Sequence, residues 1–124
     1  MPQYVDGWVI PIAKSKVAGY LKIAKKASTI WRDHGALEYR ECIGDDLKVK
    51  GLPSFTAFTR CKAGETLIFA WVVYKSRAHR DKVNAAVMKD PGMKPPSKAE
   101  QKNMPFDMKR MSYGGFKTIV ALSS

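Results

Sequence analysis

The chain alternates between two hydrophobic periods. YVDGWVIPIA, residues 4–13, carries the β-forming side chains Val5, Trp8, Val9, Ile10 and Ile12 and predicts a first strand, with Pro11 near its end where a missing amide is tolerable. The period then lengthens. Val17, Tyr20, Leu21, Ala24, Ala27, Ser28 and Trp31 recur at steps of three and four and draw one face of a helix, capped by Ser15 and closed at His34-Gly35. Alternation returns in ALEYRECI, residues 36–43, with Leu37, Tyr39, Glu41 and Ile43 on one face and Glu38, Arg40 and Cys42 on the other. Gly44, Gly51, Pro53 and Gly64 break up the next segment, within which SFTAFTR, residues 54–60, predicts a short extra strand. ETLIFAWVVYK, residues 65–75, is the strongest strand of the chain. Ser76 opens a second helix with Val83, Ala86 and Val87 on its apolar face, and Pro91-Gly92 ends it. A surface connection follows, with a Ser97–Glu100 capping-box spacing, and then a last strand through KRMSYGGFKTIVAL.

The order β-α-β-β-α-β predicts an α+β fold of the ferredoxin-like kind, one domain over residues 1–124, with an antiparallel sheet and both helices on one of its faces. The third main strand is apolar on both sides: Leu67, Phe69, Trp71 and Val73 on one, Ile68, Ala70, Val72 and Tyr74 on the other. Helices on one face cover only one set. The other is expected to meet a second copy of the chain and form a homodimer, a dimeric α/β barrel, unless residues 44–64 and 91–106 fold over it.

Composition changes this picture little. At 45% hydrophobic and 27% charged, the chain has enough apolar residues for a core. No apolar run approaches the length of a membrane span and no leader segment is recognised, so no membrane association is expected. Cys42 and Cys61, without CxxC spacing, read as two buried reduced thiols of a cytoplasmic protein. A formal net charge of +11 raises nucleic acid as a partner, through Lys22, Lys25 and Lys26 on one helix face and Lys94, Lys98 and Lys102 in the late connection. Against that reading, the lysines are dispersed and the aromatic residues look committed to burial. His34, His79, Cys42 and Cys61 lack metal-ligand spacing. There is no GxGxxG, P-loop or nucleophile motif, so no metal or cofactor is predicted and the sequence leaves open whether the protein is an enzyme.

MPFDMKRMSYGGF, residues 104–116, supports two readings. In the first, Asp107 bonds turn amides or pairs with Lys109 or Arg110, and Gly114-Gly115 lets the sheet bend. In the second, Gly7, Gly114 and Gly115 thin one patch of sheet into the floor of a ligand cleft. Asp6, Tyr39, Arg110 and Tyr113 then supply its polar lining, and Trp8 and Trp71 its apolar walls.

YVDGWVIPI, WRDHGALEYRECIGDD, SFTAF, FAWVVYKSRAHRDKVNAAVMKDP and MPFDMKRMSYGGF together resemble the YbaA-like family, a bacterial domain of unknown function. The resemblance runs through nearly the whole chain and implies a place among the dimeric α/β-barrel proteins. That wider group includes cofactor-independent monooxygenases, haem-degrading enzymes and ligand-sensing domains, so it implies no particular chemistry. A monooxygenase-like activity and a nucleic-acid role stand as alternatives to small-molecule binding. At His79 the chain departs from the family pattern, in which an acid completes the helix cap after Ser76.

Overall fold

The computed structural model describes residues 2–93 and 97–123. The chain runs β1 (Tyr4–Ala13), α1 (Val17–Asp33), β2 (Glu38–Ile43), α2 (Phe55–Phe58), β3 (Glu65–Tyr74), α3 (Arg77–Lys89), α4 (Lys98–Lys102) and β4 (Ser112–Lys117), with 3-10 turns at Lys14–Lys16, Pro91–Met93 and Met108–Arg110. The four strands form one antiparallel sheet in the order β2-β3-β1-β4. This is the ferredoxin-like arrangement expected from the element order. Within one chain the sheet is open and does not close into a barrel.

The register sorts the side chains. Tyr4, Asp6, Trp8, Ile10 and Ile12 of β1 lie opposite Tyr74, Val72, Ala70, Ile68 and Thr66 of β3, and so share one face. Tyr39 and Glu41 of β2 and Tyr113 and Gly115 of β4 join that face. The helices cover it. Tyr20, Ala24 and Ile30 of α1 and Val83 and Val87 of α3 are buried against Ile10, Ile12, Ile68, Ala70, Val72 and Tyr74. Pro11 sits in β1 beyond the ladder with β4, where its missing N–H breaks no bond on that side.

Several elements differ from the sequence expectation. Residues 54–60 contain a helical turn instead of a strand, because the Ser54 side chain accepts the Ala57 N–H and caps it. α1 begins at Val17 after a 3-10 turn with no side-chain cap, so Ser15 does not cap it, and Ile30 takes the buried place expected for Leu21. Its other end is as expected: Gly35 follows at φ +107°, a conformation that favours glycine. The last strand is shorter than its β-forming sequence. Residues 108–110 turn because the Asp107 carboxylate accepts the Lys109 N–H, and the ladder with β1 ends at Tyr4 and Lys117. Ser76 caps α3 as expected, and His79 replaces the missing acid by accepting the Lys75 N–H on Nδ1 at 3.0 Å. The Ser97–Glu100 capping box is formed. Lys94 lies outside the described residues. Both cysteines are free thiols, but Cys42 is exposed on the uncovered face and Cys61 is half-buried.

Candidate functional site

The six residues expected to line one cleft fall into three places. Asp6, Trp8, Tyr39 and Tyr113 come together on the helix side of the sheet. The Trp8 ring lies 6.1 Å from Tyr39 and 6.5 Å from Tyr113. Trp71 projects from the opposite face, paired across β1 with Gly7. Arg110 sits at the end of the sheet where β3 begins.

The helix-side group is organised by a residue that sequence reasoning missed, Arg80. Its Nη1 donates to Asp6 Oδ1 at 2.8 Å and to Tyr113 Oη at 3.2 Å, and its guanidinium stacks 4.8 Å above the Tyr4 ring. The other Asp6 oxygen accepts from Asn84 Nδ2. Asn84 Oδ1 accepts from Tyr74 Oη, which in turn accepts from Trp31 Nε1. One hydrogen-bonded chain thus joins α1, β3, α3, β1 and β4. Among the described residues no buried side-chain polar atom lacks a partner. Burial opposes the charge on Arg80, but the Asp6 carboxylate and the bonds to Asp81 and Tyr113 outweigh it and raise its pKa. The available signal was that Arg80, Val83, Asn84 and Val87 share one helical stripe, which places two polar residues on the buried face.

A second polar centre lies beside it. The Glu41 carboxylate accepts the hydroxyls of Tyr20 and, at 2.6 Å, Tyr39, tying α1 to β2. Burial, followed by these bonds to Glu41, pushes both phenols well above their usual pKa, so they act as neutral donors.

The glycines have separate duties. A Cβ on Gly115 would lie 2.5 Å from the Tyr4 hydroxyl, so that glycine makes room for the ring under Arg80. Gly7 and Gly114 face each other on the uncovered side, where their bare backbone floors a groove of about 750 Å³. Val5, Phe55, Phe58, Phe69, Trp71, Val73 and Phe116 surround that floor. The α2 side of this face is partly covered by the chain itself: Phe55 packs on Phe69, and Leu67 is buried. Phe69 is nevertheless 47% exposed and Phe116 63%.

At the end of the sheet, where β1 ends and β3 begins, lies a cavity of about 500 Å³. Pro11, Ile12, Met104, Pro105, Phe106 and Met108 give it apolar walls, and Lys16, Glu65, Lys102, Asp107, Lys109 and Arg110 its polar groups. Arg110 is held by Glu65, with bonds of 2.6 and 2.9 Å, and by the Arg60 carbonyl at 3.0 Å. Those Arg110 hydrogen bonds hold the Glu65 carboxyl at a pKa of about 2. Arg110 therefore pairs with Glu65 and not with Asp107. None of the ion pairs among the described residues uses a lysine, which leaves the lysines around this cavity a surplus of positive charge. Among the described residues no group of three or more His, Cys, Asp or Glu is placed to hold a metal ion, and no helix is long and apolar enough to cross a membrane.

Comparison with known proteins agrees with the fold. The uncharacterized protein YbaA of Escherichia coli strain K12 is 36% identical over 118 residues, which cover 95% of this chain and 97% of that one. The same protein of Shigella flexneri matches to the same extent. Among solved structures, a dimeric ferredoxin-like protein from an uncultured marine organism superimposes with a TM-score of 0.60 at 10% identity, covering 100% of both chains. A family model described as a protein of unknown function, DUF1428, matches residues 3–108. The chain belongs to the DUF1428 family.

Proposed function

We propose that the protein is a homodimeric binding protein for a small acidic molecule with an apolar body. The observation that carries the reading is the cavity of about 500 Å³ at the end of the sheet, a size and a mixed lining typical of small-molecule sites. Its walls suit an apolar body. Lys16, Lys102 and Lys109 offer a carboxylate or phosphate their charge, while Arg110 is already neutralised by Glu65 and serves to fix the rim.

Dimerisation follows from the uncovered sheet face. Phe69, Trp71, Val73, Val5 and Phe116 form a continuous apolar surface, and a second copy related by a two-fold axis buries the same patch twice. The ligand cavity shares no lining residue with that patch, so this association leaves it accessible. The structural neighbour is described as dimeric, which accords with the arrangement.

Light scattering at micromolar concentration tests the assembly: the native chain is expected to be a dimer and the Phe69→Asp variant a monomer. A monomeric native chain overturns the dimer. For the ligand, a thermal-shift series over small carboxylates and phosphates is expected to raise the melting temperature of the native chain. The rise should disappear in a Lys102→Glu, Lys109→Glu double variant. No stabilisation by any acidic compound, or equal stabilisation of the double variant, overturns the binding assignment.

A further inference from the structure

We infer that the segment after β4, residues 118–123, is an arm that reaches over to the second copy and forms part of the dimer interface. Its sequence, Thr118-Ile119-Val120-Ala121-Leu122-Ser123, is strand-forming, yet it is not a strand. The sheet register gives the reason. β4 pairs only with β1, and that ladder ends where Tyr4 meets Lys117. One more bond, from the Thr118 N–H to the Gln3 carbonyl at 3.0 Å, carries the pairing a single residue further. Beyond it the described residues provide no partner strand. Ile119, Val120 and Leu122 are consequently 90%, 85% and 97% exposed. Three large apolar side chains this bare, in so short a stretch, are unusual on a finished surface.

A second copy is the occupant that fits. The arm leaves β4 after Lys117, one residue beyond Phe116, which lies on the uncovered face, so it is continuous with the patch assigned to the dimer. Face-packed sheets stand about 10 Å apart. Six extended residues span roughly 20 Å, enough to cross that gap and lie along the partner. The strand available there is β2, whose outer edge, like that of β4, has no neighbour in the sheet order. Each arm of a two-fold dimer would thus extend its own edge strand past the edge of the other copy's sheet, in the direction that closes a barrel.

This inference rests on the homodimer proposed above, and two measurements separate the two ideas. The first compares the dissociation constant of the full chain with that of a variant ending at Lys117. Because the removed side chains touch almost nothing in their own subunit, the truncated subunit should keep its circular dichroism spectrum. The dimer should weaken at least about tenfold from the loss of their burial. An unchanged dissociation constant refutes the arm and leaves the dimer standing, whereas a monomeric full chain refutes both. The second measurement is an isotope-filtered NMR experiment on a mixed dimer of labelled and unlabelled chains. Intermolecular contacts from the Ile119 and Leu122 methyl groups are expected. If their contacts are confined to their own chain, the arm does not cross.

Discussion

Replacing Arg80 alone would leave the Asp6 carboxylate buried, at 2% exposure, without its cationic partner. Breaking a buried pair from one side is far more damaging than deleting both charges. Arg80→Met is therefore expected to cost about 3–5 kcal/mol in urea denaturation, and Asp6→Asn with Arg80→Met less than the sum of the two single changes. Gly115→Ala tests the neighbouring packing. The new methyl group must displace the Tyr4 ring that Arg80 covers, so a loss of about 1–3 kcal/mol is expected in the same assay. Glu65 gives a pH signature. Its carboxyl is held near 2 in the fold, below the unfolded value of about 4.3, so its contribution is complete above the unfolded value and fades as pH falls toward 2. Arg110→Gln should lower stability at neutral pH and flatten the acid limb between about pH 5 and 2, read as melting temperature against pH. At this scale the sequence was informative about Asp6, whose place in a strand of apolar neighbours marked it. It said less about Arg80, because an arginine in a helix looks solvated until the helix is docked.

At the scale of elements, local chemistry set the ends and tertiary contacts set the lengths. Ser76 and Ser97 stand three residues before groups that complete a cap, and both caps form. His79 does this with a ring nitrogen in place of a carboxylate, accepting the amide one residue before the cap. Ser76→Ala is expected to destabilise the protein by about 0.5–2 kcal/mol by thermal or urea denaturation, since α3 carries both Arg80 and Asn84 into the buried network. The turn at residues 55–58 and the short β4 were misread for one reason. Phe55, Phe58, Ile119 and Val120 are good strand residues, but a strand requires a neighbour in register. The β2–β3 connection has none, and β4 outruns β1.

For the whole molecule, charge and hydrophobic surface pull in opposite directions. Each chain carries a formal charge of +11, so two copies brought face to face repel. Salt screens that repulsion over about 8 Å at physiological strength while leaving apolar burial intact. The dimer dissociation constant, measured by sedimentation, is accordingly expected to fall between low and moderate salt. Binding to nucleic acid would weaken over the same range, so the two uses of the charge give opposite signs. The sequence by itself determined the element order, the antiparallel sheet and the doubly apolar β3, because periodicity and turn residues are local properties of the chain. The distribution of the six candidate residues was decided only by the tertiary structure. Strand register puts Asp6, Trp8, Tyr39 and Tyr113 on one side of the sheet and Trp71 on the other, and a long-range pairing with Glu65 fixes Arg110 at the sheet's end. Which residues converge depends on partners far apart in the chain, 45 positions for Arg110 and Glu65 and 74 for Arg80 and Asp6, and no local pattern encodes such separations.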